Sequence, residues 1–109
     1  MIVAEYDRSA LCVRVTGHAC SGQPGKDLVC AAATMLVCTL AADIERLHAS
    51  ISGSGKQVAL ESGRAELSFS AGACRSVAAV VFDSVCAGFA LLAQHYPQAV
   101  IYREIKEEN

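Results

Sequence analysis

Between Gly22-Gln23-Pro24-Gly25 and Ser52-Gly53-Ser54-Gly55 the chain carries a run whose spacing admits one regular structure. Val29, Ala32, Ala33, Leu36, Val37, Leu40, Ile44 and Leu47 recur every three or four residues, which predicts an amphipathic helix from Leu28 to about Ser50. Asp27 stands where a carboxylate can accept the amides two and three residues on, so it reads as the N-cap. The glycine-rich segments on either side read as a loop, Ala19 to Lys26, and as the stop after Ser50. Such a helix must lay its apolar face on a second layer.

The rest of the chain supplies that layer. Met1–Tyr6 and Leu11–Thr16 read as strands around Asp7-Arg8-Ser9, with Leu11, Val13 and Val15 alternating against Arg14 and Thr16. Gln57–Glu61 and Arg64–Ser70 read as a hairpin across Ser62-Gly63, with Ala65, Leu67 and Phe69 on one face. Ser76–Tyr96 is ambiguous. Val77, Val80, Val81 and Val85 favour strand locally, whereas the length and the stop at Pro97 favour helix. As a helix it would be apolar nearly all round and buried on most sides. A last strand, Ala99–Ile105, precedes the charged tail Lys106-Glu107-Glu108-Asn109. The expected fold is α+β in one domain, residues 1–109, with one mostly antiparallel sheet, two long helices and the order β-β-α-β-β-α-β.

Composition narrows the function classes. With 53% hydrophobic and 18% charged residues the chain is too apolar for intrinsic disorder. It has more apolar surface than a small core uses, which points to a homodimer. A net charge of -2 argues against direct nucleic-acid binding. The least charged runs, Leu28–Ala42 and Ser76–Gln94, contain Thr34, Thr39, Asp83 and Ser84 and read as too short to cross a membrane. Met1-Ile2-Val3-Ala4-Glu5 has neither a basic region nor a long apolar run, so no signal peptide is expected. Six cysteines sit mostly among Val, Ala and Leu with no C-x-x-C pair, which reads as reduced thiols in the cytoplasm. Cys12, Cys38, Cys74 and Cys86 are expected in or near the core. His48 and His95 are expected near helix C-termini, where an imidazolium suits the dipole.

Histidine and cysteine come together in one place. His18 follows the second strand directly, and Cys30 falls in the expected first turn of the helix. A thiol with an ordinary pKa of about 8.5 is only a few per cent ionised at neutral pH. The unpaired amides of a helix's first turn, and Lys26, would favour the thiolate, while Asp27 would oppose it. A base and a nucleophile joined by a glycine loop make a thiol hydrolase one reading. A buried structural Cys30 and a strand-end His18 that hydrogen-bonds a carbonyl make another. A metal site from His18, Cys20 and Cys30 lacks a fourth ligand, and no metal or cofactor is expected. Cys20 reads either as an exposed spectator or as a thiol able to oxidise against Cys30.

The run Gly17-His18-Ala19-Cys20-Ser21-Gly22-Gln23-Pro24-Gly25-Lys26-Asp27-Leu28-Val29-Cys30-Ala31-Ala32 resembles the signature of the ribosomal-processing cysteine proteases, and Thr34 fits that pattern's later hydroxyl. The resemblance implies a Cys30 nucleophile, a His18 general base, and a substrate loop that includes Gly17, Ala19, Gly22 and Gly25. It implies a homodimer that removes the N-terminal extension of large-subunit ribosomal protein twenty-seven after an aromatic residue. Asp27 is available either to orient His18 or to cap the helix. The rival reading is a non-catalytic ribosome-associated or ribosome-assembly domain of the same fold.

Overall fold

The computed structural model describes residues 1–18 and 26–105, with side chains in the first helix from Leu28 onward. The order is β1 (Ile2–Asp7), β2 (Cys12–Gly17), α1 (Lys26–Ser50), β3 (Gly55–Glu61), β4 (Arg64–Ser70), α2 (Arg75–His95) and β5 (Val100–Ile105). A single 3-10 turn, Gly72–Cys74, leads into α2. The five strands form one sheet in the order β3-β4-β2-β1-β5. All neighbours are antiparallel except β1 and β5, which run parallel. The expected α+β order is therefore the observed one. The tail 106–109 and the loop calls on Ala19, Cys20, Gly22 and Gly25 lie outside the described residues.

Strand period sets one face of the sheet against the helices. Ile2, Ala4 and Tyr6 of β1, Val13 and Val15 of β2, and Ala65, Leu67 and Phe69 of β4 are all buried. Val29, Ala33, Leu40 and Ile44 of α1 and Ala78, Phe82, Val85 and Phe89 of α2 cover them. The opposite face is polar, and its register is marked by charge. Arg103, Glu5, Arg14 and Glu66 are successive cross-strand partners on β5, β1, β2 and β4. They pair through Arg103–Glu5 at 3.9 Å and Arg14–Glu66 at 3.3 Å. Each exposed pair contributes about 0–1 kcal/mol at most, but a slip of one residue would bury this row, so the alternation opposes misregistration.

Four readings need correction. Ser76–Tyr96 is helical, as its length argued, but it is not covered on most sides: Val77, Val80 and Leu91 are more than half exposed. A two-layer domain has nothing to lay on the outer side of its helices. On length and composition Leu28–Ser50 and Gly72–His95 would each suffice to cross a membrane, with mean hydropathies of 1.8 and 2.0. The reading that no stretch is long enough fails because isolated hydroxyls and one carboxylate do not interrupt a helix. In this fold both helices instead lay their inner faces on the sheet. Cys38 and Cys74 are exposed, Cys12 is half-buried, and only Cys86 of the four is core. Finally, α1 begins at Lys26, which puts the Asp27 backbone in the first turn and not ahead of it; the Asp27 side chain lies outside the described residues. His48 and His95 do fall in last turns.

Candidate active site

His18 is placed by main-chain geometry. β2 ends at Gly17, whose φ of +92° lies in the region that L side chains avoid. A Cβ there would also collide with the carbonyl of Met1, so the position is closed to every side chain on two counts. The Gly17 amide donates to the Gly63 carbonyl at 2.9 Å, and the Met1 nitrogen donates to the His18 carbonyl at 2.7 Å. The backbone that carries the imidazole is thus tied to β1 on one side and to the β3–β4 turn on the other. The ring itself is exposed and lies against Gly63.

Cys30 is placed by packing. Val29 and Ala33, on either side of it in sequence, are buried against the sheet and fix the rotation of α1. Cys30 stays half-buried on the flank. It is the fifth residue of α1, not a member of the first turn, because the helix starts at Lys26. The amides without intrahelical partners are therefore those of residues 26–28, one turn earlier. Helical side chains lean toward the N-terminus, so the thiol still lies over that turn. One turn later, the Thr34 hydroxyl donates to the Cys30 carbonyl at 2.8 Å, the usual i to i−4 back-bond of a helical threonine.

Both residues line one cleft of about 370 Å³. Cys30, Ala33, Thr34, Val37 and Cys38 form its helical wall, Ile2 and Val15 its floor, and Leu60 to Ala65 of the β3–β4 hairpin its rim. The floor is apolar and the rim carries Glu61 and Arg64, a lining typical of sites that bury an apolar group and orient it by a few polar ones. No hydrogen bond joins His18 to Cys30 among the described residues, and no cluster of three or more His, Cys, Asp or Glu is placed there to hold a metal ion. The sequence reading missed the hairpin rim and Cys38. Ser62-Gly63 was legible as a turn, but its place beside His18 follows from the β2–β4 pairing that sets Thr16 opposite Arg64.

A second pocket of about 350 Å³ lies between α2 and the far ends of β1 and β5. There Tyr6 donates to Asp83 at 2.8 Å, and Arg8 grips both oxygens of the same carboxylate at 3.1 Å. Burial pushes the Cys86 thiol up to about 12, so it stays protonated and offers no nucleophile. Burial also raises the Tyr6 and Tyr102 phenols, with Asp83 adding to the effect on Tyr6. Cys86 and the two tyrosines of this pocket are therefore held protonated at neutral pH.

An α+β domain with a half-buried thiol and a strand-end imidazole on one apolar cleft has the makings of a thiol-dependent hydrolase. The family model of the cysteine protease Prp matches residues 1–101, and the chain belongs to that family: it is a cysteine protease. Solved structures share the fold. SMU.848 from Streptococcus mutans is 24% identical with a TM-score of 0.70, over 97% of this chain and 93% of that one. The essential ribosomal processing protease Prp from S. aureus, solved with a covalently linked product peptide, is 16% identical with a TM-score of 0.74 over 96% and 100% of the two chains. The same protease with a substrate peptide gives 15% and 0.72 over 95% and 97%. No curated protein matches this chain in sequence.

Proposed function

We propose that the protein is a cytoplasmic endopeptidase that removes the N-terminal extension of large-subunit ribosomal protein twenty-seven, with Cys30 as nucleophile and His18 as general base. The observation that carries the reading is that His18 and Cys30, on separate elements, line the same cleft in a chain of the Prp family. The S. aureus relative named a ribosomal processing protease supports the substrate class. In this reading His18 takes the Cys30 proton as sulfur attacks the scissile carbonyl, then returns it to the leaving amine. Water hydrolyses the thioester with His18 again as base. The amides at residues 26–28, which have no intrahelical partners, are the helix donors this reading assigns to the oxyanion. The apolar lining formed by Ile2, Val15, Ala33 and Ala65 suits the aromatic residue that the resemblance implies before the scissile bond.

The active form in this proposal is a homodimer joined through Val77–Leu92. Val77, Val80, Ser84, Ala87 and Leu91 form an exposed stripe at helical spacing, and contiguous apolar surface of this kind is uncommon on monomers. The test of the catalytic reading is cleavage of a peptide spanning the extension junction by Cys30→Ala and His18→Ala. Cys30→Ala is expected to abolish turnover, and His18→Ala to lower it by about 10²–10⁴-fold. Undiminished cleavage by Cys30→Ala would overturn the nucleophile assignment.

A further inference from the structure

The turn of the β3–β4 hairpin does more than close the sheet. Gly63 has a φ of +76°, and its carbonyl receives the Gly17 amide at 2.9 Å. A Cβ built on Gly63 would stand 2.5 Å from Nε2 of His18, 3.2 Å from Cδ2 and 3.3 Å from Cε1. The nearest atom is Nε2 and its two ring neighbours are almost equidistant, so the imidazole meets the turn tip-first. The space that a side chain would fill at Gly63 is the space the ring occupies. Gly53 offers a natural contrast: its φ is +77°, yet a Cβ there would meet nothing within 4 Å. Gly63 thus carries, beyond its backbone conformation, a steric restriction that Gly53 lacks.

We infer that Gly63 is a positioning residue for His18. This rests on the reading of His18 as the general base of Cys30. The bare turn is the seat of the imidazole: it limits how far the ring swings and holds it on the rim of the cleft. The hydrogen bond from Gly17 to Gly63 ties seat and base-bearing strand together, so they move as one unit. A methyl group at Gly63 would unseat the ring without touching Cys30 or the cleft floor. A misplacement of about 1 Å in a reacting group costs about 10²-fold in rate.

The experiment compares Gly63→Ala, Gly53→Ala and His18→Ala with the wild-type chain. Two readouts are taken: peptide cleavage, and the pH profile of iodoacetamide alkylation at Cys30 followed by mass spectrometry. Both glycine variants carry the same left-handed strain and are expected to lose similar thermal stability. Gly53→Ala should keep kcat within about twofold, whereas Gly63→Ala should lose kcat by about 10²-fold with KM little changed. Its alkylation profile should move toward that of His18→Ala. Gly63→Asn tolerates the left-handed conformation but still adds a Cβ, so it should show the same kinetic loss if Gly63→Ala fails to fold. Gly63 variants that match Gly53→Ala in both readouts would overturn the seat while leaving the Cys30–His18 reading intact. A His18→Ala chain with unchanged cleavage and profile would overturn that reading, and the seat with it.

Discussion

Gly88 lies in the interior of α2, where glycine costs about 0.8–1.0 kcal/mol relative to alanine. The fold keeps it because α1 and α2 approach closely at that point. A Cβ at Gly88 would stand 2.6 Å from Cδ2 of Leu36 and 3.2 Å from Cδ1. The obstacle is the tip of a half-buried side chain and not backbone, so it yields at a cost near the lower end of the about 1–3 kcal/mol typical of overpacking. Gly88→Ala alone should then be close to neutral or destabilising by up to about 1 kcal/mol, the propensity gain offsetting part of the clash. With Leu36→Ala in place the obstacle is gone, and the same substitution should stabilise by about 1 kcal/mol. The coupling between the sites is thus about 1–2 kcal/mol, within the range seen for residues in contact. Thermal unfolding of the four chains measures it, since 1 kcal/mol moves the midpoint by about 4–8 °C in a domain of this size. Protein concentration must be equal throughout, because the proposed dimer would add to apparent stability. If Gly88→Ala stabilises the wild-type chain as much as the Leu36→Ala chain, Leu36 swings aside freely and the close approach does not explain the glycine.

Other outcomes follow from the same geometry. Groups whose folded pKa is raised leave stability intact below the unfolded value and remove it as pH rises toward the folded one. Cys86, raised by burial from 9.0 to about 12, and the raised Tyr6 and Tyr102 should make the melting midpoint fall above pH 9, and Tyr102→Phe should flatten that fall; a level midpoint to about pH 11 would contradict it. Sedimentation at low micromolar concentration should give about twice the chain mass, and Val80→Asp should give monomer, because it puts a carboxylate in the centre of the exposed α2 stripe; a wild-type monomer would refute the interface.

The strands and α1 were legible from their periods, whereas α2 was told from strand by its length and the stop at Pro97. The order β-β-α-β-β-α-β followed from those signals alone. The inner face of α1 was legible as well, since Val29, Ala33, Leu40 and Ile44 of its apolar period are buried and Ala32, Leu36, Val37 and Leu47 half-buried; what could not be read was how much apolar surface the helices leave outside. In α1, Leu28, Ala31, Met35, Cys38 and Ala42 form a second apolar stripe, and this one stays exposed. Cys38, expected in or near the core because its neighbours are apolar, falls on that stripe and lies on the wall of the cleft. Nor does local sequence state which distant strands pair: the β3–β4 hairpin was legible, the β2–β4 pairing was not. Gly63 enters the site only because β4 lies beside β2 in this register, a choice made by the whole sheet. His18 and Cys30 were found from local spacing, since both lie in one short motif.

The site joins two kinds of support. His18 is held by main-chain hydrogen bonds and by two glycines that no side chain can replace without collision, Gly17 against Met1 and Gly63 against the ring. Cys30 has no comparable backbone tie to the sheet; its position depends on how Val29, Ala33 and Leu40 settle α1 into the core. Backbone geometry is stiff, whereas packed helices slide by an ångström at modest cost. The distance between His18 and Cys30 is therefore set on the helix side. Leu36 precedes Val37 on the cleft wall and meets Gly88 of α2, so the helix-to-helix contact bears directly on where the thiol stands. Small core substitutions along α1 should weaken catalysis before they weaken folding, because about 1 Å costs two orders of magnitude in rate but only a fraction of the stability of the domain.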